Sequence, residues 1–367
     1  MATKSQTIEA RCPVRIDLAG GTLDLWPISV LVPGSRTVNL GISLFAKARV
    51  SVTPQRKKKK GSPTSLVRYE SKDQSHVWEG SIDALAQFTV PPALEIHHRA
   101  FRYFSDQQPR TAREYAQITI RTEATSPAGA GLGGSSAILI ATLGALAELF
   151  MGKSKAAGWI RSGKVIEVAK DLESQVLRIP AGVQDYFGAA YGGLQDIAWI
   201  PGGERRGVLP TKTLKAVASR LVLFYSGLSR NSGLNNWTLY KDAIDQRGPT
   251  LNLLQNIAVS AQELSIALQK ENWEDVGKAI ASEWRSRKEL VSSMATPEML
   301  NSFEQARGLG ASAWKVCGAG GGGCFFVYFN EPPSAKTISD LNERIQRFGP
   351  RRLLFQAVAD GLITTRR

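Results

Sequence analysis

The sequence predicts an α+β fold in two segments, and three observations carry the prediction. Period-two alternation marks strands. Across 44–54, Ala46, Ala48, Val50 and Val52 face one way and Lys47, Arg49 and Ser51 the other, and across 115–124 Ile118 and Ile120 alternate with Thr119 and Arg121. A run over 137–150 is apolar on nearly every face, which predicts a buried helix. Helical patterns dominate 251–308, beyond a stretch of turn-formers and charge at 201–207 that is the best boundary, dividing 1–203 from 204–367.

The elements follow in order. An apolar strand carrying Arg15 breaks at Gly20 and Gly21 and delivers Asp24 a few residues later. A second strand-like run, 65–69, follows the basic run 56–60, whose self-repulsion predicts a solvated loop. After the strand at 115–124 and the buried helix comes a helix over 161–177, striped by Val165, Ala169, Leu172 and Val176. Gly192 and Gly193 precede a short strand ending at Ile200. The second segment reads as a strand at 220–225, the helical region, a glycine-rich segment and strand over 316–329, a helix at 338–348 and a last strand at 352–358.

Composition excludes several classes. Hydrophobic residues are 43% and charged residues 21% of 367, ordinary globular values. The net charge of +14 suits an acidic ligand, a nucleic acid or an anionic membrane equally. No aromatic residues interleave the basic run for base stacking, so no specific nucleic-acid partner is expected. Cys12, Cys317 and Cys324 are too few and scattered for a disulfide scaffold or zinc ribbon, and His76, His97 and His98 are too few for a multi-histidine metal site. The 137–151 stretch is interrupted by Glu148 and reads as too short to span a bilayer. With no leader-like start and with reduced cysteines, a cytoplasmic address is expected.

Four segments carry chemistry. Between the strand and the buried helix stand Pro127, Gly129, Ala130, Gly131, Leu132, Gly133, Gly134, Ser135 and Ser136. Closely spaced glycines let backbone N–H groups converge on an anion, and the helix start adds its positive end. Gly-Lys-Ser/Thr is absent, which excludes a Walker A loop, and no strand with an acidic ribose ligand follows, which argues against a dinucleotide fold. The Arg15–Asp24 stretch pairs a fixed cation with an acceptor suited to vicinal hydroxyls. Glu173 borders the apolar stripe, and Asp185 follows a Pro/Gly break. Two carboxylates, one for magnesium and one for a substrate proton, are what phosphoryl transfer to a hydroxyl requires. Five glycines between two strand-like pieces, ending at Gly323, suggest a second wall of the same site.

Together these segments resemble the GHMP small-molecule kinases, with motif one at 15–24, motif two at 127–136 and motif three at 318–323, in the family's order. Arg15 and the Asp24 end of motif one resemble the sugar-kinase branch, and the run 15–21, Val38, Asn39 and Leu40, and Gly182 to Asp185 are similar to fucokinases. The glycine run of motif three and Ser229, Arg230, Asn231 and Ser232 resemble heptose-7-phosphate kinases. The resemblance implies an N-terminal ribosomal-protein-S5-like domain and a C-terminal ferredoxin-like α/β sandwich. It implies ATP and Mg²⁺, a small-molecule partner (sugar or sugar phosphate), a monomer or homodimer, and transfer to the anomeric hydroxyl. By the same resemblance Asp185 is the base and Arg15 the cation beside the attacking hydroxyl. Ser135 and Glu173 are magnesium ligands, with Ser136 alongside, and 127–136 is the triphosphate loop. Asp24, Gly21, Thr22, Gly182, Gly320 and Gly321 line the substrate, and Arg36 or Arg230 is a candidate anchor for a substrate phosphate. The rival readings are a mevalonate-type isoprenoid kinase and a sugar- and ATP-sensing regulator without turnover.

Overall fold

A computed structural model describes residues 5–55, 65–87, 89–229, 233–318 and 320–367, with backbone alone for 233–237. The basic run 56–60 and Arg230, Asn231 and Ser232 lie outside the described residues.

In chain order the first segment holds β1 (Gln6–Ala19), α1 (Ile28–Leu31), β2 (Arg36–Pro54), β3 (Leu66–Ser71), β4 (His76–Ser81), α2 (Glu95–Ser105), α3 (Pro109–Ala112) and β5 (Tyr115–Ala124). There follow α4 (Gly134–Met151), α5 (Lys153–Arg161), α6 (Lys164–Leu177), α7 (Gln184–Tyr191), β6 (Leu194–Ile200) and β7 (Gly203–Leu209). The second segment holds α8 (Thr211–Ala218), β8 (Leu221–Tyr225), α9 (Gly233–Ile244), α10 (Thr250–Gln269), α11 (Trp273–Leu290), α12 (Pro297–Arg307), β9 (Ala313–Val316), β10 (Cys324–Tyr328), α13 (Ala335–Gln346), β11 (Arg351–Leu353) and β12 (Ile363–Arg366).

β2 is the spine of the larger sheet. Its 19 residues pair with β1 along one side, while on the other Arg36–Leu40 pair with β6 and Ala46–Pro54 with β5. The order is β12-β1-β2-β5-β3-β4, with β6 and β7 continuing from the first half of β2. Every pairing is antiparallel except β3 with β5. The alternation expected at 46–52 is present: Ala46, Ala48, Val50 and Val52 are buried and Lys47 and Arg49 exposed. α4 lies across β1 and β2, enclosed by α2, α5, α6 and α7, so it is apolar all round for a reason. It is 18 residues long with mean hydropathy 1.6, longer than the sequence reading allowed because Gly134 to Ser136 form its first turn. By length and composition it is able to cross a bilayer, but 83% of it is buried in the fold. Glu148, the interruption, is buried with its carboxylate 3.2 Å from Arg366.

The second sheet runs β11-β8-β10-β9, all antiparallel. β8 and β10 are buried throughout. Val222, Phe224, Phe325 and Val327 pack on Phe303, Leu341 and Ile345 of α12 and α13, while Leu223, Phe326 and Tyr328 join the main core. Two mixed α/β segments thus make up the predicted α+β fold.

Four expectations shift. The helix read over 161–177 starts at Lys164, because Gly163 at φ +80° ends α5 and opens α6. The 201–207 stretch runs into β7, a strand whose residues are exposed up to its last position, so it has no buried face to set a period. A division after Gly203 runs through the β6–β7 hairpin. The last strand is only Arg351–Leu353. Beyond it the chain runs extended over the first segment, Val358 bonding to Gly41 and Gly193, and ends as β12 on β1.

Candidate active site

Between β5 and α4 the chain turns through Gly129, Gly131 and Gly133 at φ +67°, +74° and +74°, a region open to glycine without strain. Gly133 is the N-cap of α4 and brings no side chain to cap it. Among the described residues no backbone carbonyl accepts from the N–H groups of Gly133, Gly134, Ser135 or Ser136. Four free amides at the positive end of an 18-residue helix form an anion site. Pro127, Gly129, Ala130, Gly131, Gly133, Gly134, Ser135 and Ser136 line a cleft of about 300 Å³. Leu132 is buried behind it, its carbonyl accepting from Arg15 N at 3.1 Å.

The loop leans on the second glycine segment, backbone to backbone. Cys324 N donates to Ala130 O at 2.8 Å, and a Cβ on Gly131 would sit 2.4 Å from Cys317 O. Gly318 reaches the cleft wall. Gly320 and Gly321 do not line it. Gly321 N donates to Met294 O at 2.7 Å, and a Cβ on Gly320 would meet Met294 Cγ at 2.2 Å. The three cysteines are buried thiols.

α6 brings Glu173 beneath the start of α4. Ser135 Oγ donates to its Oε1 at 2.9 Å, and Ser136 Oγ and Tyr186 OH donate to its Oε2 at 2.8 and 2.5 Å. Burial pushes this carboxyl up, against the pull of the three hydroxyls. Magnesium is bound through one or two carboxylates plus phosphate oxygens and water, not by a dedicated protein cage. A buried carboxylate and a serine hydroxyl on the cleft wall beside the free amides fit that pattern. Among the described residues no cluster of three His, Cys, Asp or Glu offers an alternative.

α7 brings Asp185 to the same wall. Its Oδ1 accepts from Arg15 Nε at 2.8 Å and lies 2.5 Å from Nη2, while Arg15 Nη1 donates to Gly131 O at 2.8 Å. A Cβ on Gly133 would lie 3.1 Å from Asp185 Cγ, so the carboxylate abuts the anion loop. Burial alone would lower the Arg15 pKa, but Asp185 and Asp17 outweigh it and hold the guanidinium charged.

Among the described residues Asp24 has no cation in hydrogen-bonding contact. It accepts from Gln184 N at 3.0 Å and weakly from Gln184 Nε2. Burial pushes its carboxyl up to about 6; the Gln184 N–H opposes the shift and the charge of Asp185 adds to it. Gly182 is required beside it, since a Cβ there would come 2.4 Å from Asp24 Oδ2. Gly21, Thr22, Asp24, Gly182 and Asp185 all line the same cleft. Arg36 does not; it is paired with Asp196 and donates to Ser265.

The sequence reading missed what lies beneath motif one. Lys315 Nζ is fully buried, 2.9 Å from Asp17 Oδ2 and 3.2 Å from Glu283 Oε1. Arg287 joins Glu283 at 2.5 Å and donates to Gly21 O at 2.8 Å. Burial would raise the Asp17 carboxyl, but Lys315, Arg287 and Arg15 hold it below the usual carboxylate range. Also unforeseen is the end of the cleft lined by Ser71, Asp73, Gln74, Ala93, Ile96 and His97. Burial pushes the His97 imidazole down to about 4, so it is neutral there.

Two family models match the chain: the GHMP kinases N terminal domain over residues 95–193 and the GHMP kinases C terminal domain over 264–345. A D-glycero-alpha-D-manno-heptose 7-phosphate kinase of Campylobacter jejuni is 25% identical over 341 residues, spanning 90% of this chain and 91% of that protein. An L-fucokinase/L-fucose-1-P guanylyltransferase of Bacteroides fragilis is 26% identical over 92% of this chain, which spans only 36% of that longer protein. A solved D-glycero-D-manno-heptose 1-phosphate kinase from Bacteroides thetaiotaomicron superposes with a TM-score of 0.70 at 20% identity, covering 98% of both chains.

Proposed function

Because the chain belongs to the GHMP kinases, we propose that it transfers the γ-phosphoryl group of ATP to a hydroxyl of a sugar or sugar phosphate, the anomeric hydroxyl being the acceptor. One observation carries the reading. The Arg15–Asp185 pair abuts the loop at Gly133 and lines one cleft with the free amides and Asp24, which brings a phosphate site, a candidate base and a candidate hydroxyl acceptor together.

Each residue then has a task. The amides of 133–136 hold phosphate oxygens, and the end lined by Ile96 and His97 takes the nucleoside. Asp24 accepts from acceptor hydroxyls and fixes the sugar. Asp185 takes the proton of the attacking hydroxyl, and Arg15 offsets charge on the moving phosphoryl group. Glu173 and Ser135 would hold magnesium, which would supply positive charge to offset that of the phosphates. Little covalent chemistry is left for the protein, so positioning and electrostatics dominate the rate.

ADP release from Mg-ATP over a panel of free and phosphorylated sugars plus mevalonate tests this. Turnover is expected on a sugar, and Asp185→Asn should lower kcat about 10³-fold with ATP affinity within about twofold. Near-normal turnover by Asp185→Asn would remove the base assignment, and turnover confined to mevalonate would remove the sugar.

A further inference from the structure

Among the described residues the second segment adds one side chain to the cleft wall, Arg287 of α11. It is 2% exposed and its hydrogen bonds are nearly complete. Nε donates to Glu283 Oε1 at 2.8 Å. Nη2 donates to the same oxygen and to Gly21 O, and Nη1 to Thr22 Oγ1 at 3.4 Å. Guanidinium carries five N–H donors, so among the described residues these four bonds leave one N–H on Nη1, next to Thr22. Thr22 sits at φ +79°, rare for a β-branched residue, in the loop that Gly20 N ties to Glu283 Oε1 at 3.4 Å. Arg287 therefore holds the loop that carries Asp24 and keeps a donor at the cleft wall.

We propose that Arg287 is a specificity-determining residue for the acceptor, its remaining Nη1 N–H donating, beside Thr22 Oγ1, to a hydroxyl oxygen of a polyol. This rests on the sugar-kinase reading and deepens it. A phosphate or carboxylate is not the group read here. Recognition of either by arginine uses two parallel N–H bonds and the net charge, and in Arg287 Glu283 and Gly21 occupy the fork while Glu283 and Asp17 together offset the charges of Arg287 and Lys315. A single donor from Arg287 and a single acceptor in Asp24, lining one cleft, suit hydroxyls, each of which donates and accepts. An acceptor lacking the hydroxyl read by Arg287 leaves a buried N–H without a partner, which is how polar sites discriminate strongly.

The test uses the full-length protein and a series of monodeoxy sugars made from the acceptor found in the panel, or from L-fucose and D-mannose if none turns over. Calorimetric binding, with a non-hydrolysable ATP analogue present, is measured beside turnover. Arg287→Lys keeps the charge facing Glu283 but loses the fork. It should weaken sugar binding about tenfold or more, with analogue affinity unchanged within about twofold. One deoxy position that costs the parent protein about tenfold should cost Arg287→Lys less than about twofold. If Arg287→Lys does not fold, Thr22→Val, which removes the neighbouring hydroxyl, should diminish the penalty at that same position. Equal penalties in parent and variant at every position, or analogue affinity falling together with sugar affinity, would overturn the proposal. Sugar binding that follows this pattern without turnover would instead sink the kinase reading and leave this one standing.

Discussion

Asp24 and Asp185 lie close together yet are held differently, one by amide N–H groups and one by a guanidinium. Because the folded pKa of Asp24 is raised to about 6, the folded chain binds more protons than the unfolded chain between about pH 4 and 6. Ionisation of Asp24 therefore costs stability as pH rises through that window, and the full cost remains above it. Asp24→Asn should raise the melting temperature. Its advantage over the parent should grow from pH 4 to 6 and then level off, while acceptor KM rises about tenfold or more at neutral pH. A stability difference that is flat with pH would show that burial of this charge is not the source. At this scale the sequence was informative where chemistry and spacing coincide. Arg15, Asp185, Glu173 and Ser135 were all named, and all four line the cleft. Arg287 and Lys315 were not legible, since Lys315 acquires its meaning from Asp17, 298 residues earlier, and no local pattern encodes that distance.

Elements with one buried face were readable because burial imprints a period. β5 has the predicted bounds, and the buried helix and the stripe of α6 lie where apolar spacing put them. β7 reads as a turn in the sequence because most of it faces solvent, and β12 leaves no signal because four residues, three of them exposed, carry too little pattern. The glycine segments belong to this scale too, since each is the other's packing surface. Gly131→Ala places a methyl 2.4 Å from Cys317 O at a φ of +74°, so the two loops must part. The expected cost is about 1–3 kcal/mol of stability. ATP KM should rise more than tenfold or so while acceptor KM changes less, because the loop amides lose their alignment. Kinetics with both substrates varied would check this, and a substitution that left ATP KM unchanged would mean the loop does not hold the nucleotide.

The whole molecule is a single circuit. The chain starts in the larger sheet, builds the second sheet, and returns across Gly41, Gly193 and Ala190 to lay β12 along β1. Leu362 on this return presses against Gly144 in the middle of α4, and a Cβ there would meet Leu362 Cδ2 at 2.7 Å. Removing 354–367 uncovers the helix that carries the anion site and strips the outer edge of β1. Thermal unfolding should then fall by about 10 °C or more, with ATP affinity falling too, although none of the removed residues lines the cleft. An unchanged melting temperature would show the return strand to be ornamental.

That closing strand also sets a clock on biosynthesis. Ile8 leaves the ribosome 358 residues before its partner Arg366 does. At about 5–20 residues per second the interval is roughly 20–70 s. For that time β1 presents bare amides and carbonyls on one side, the kind of edge to which another nascent chain can pair. On a polysome, then, the period of greatest hazard for this protein lasts until β12 has emerged and docked.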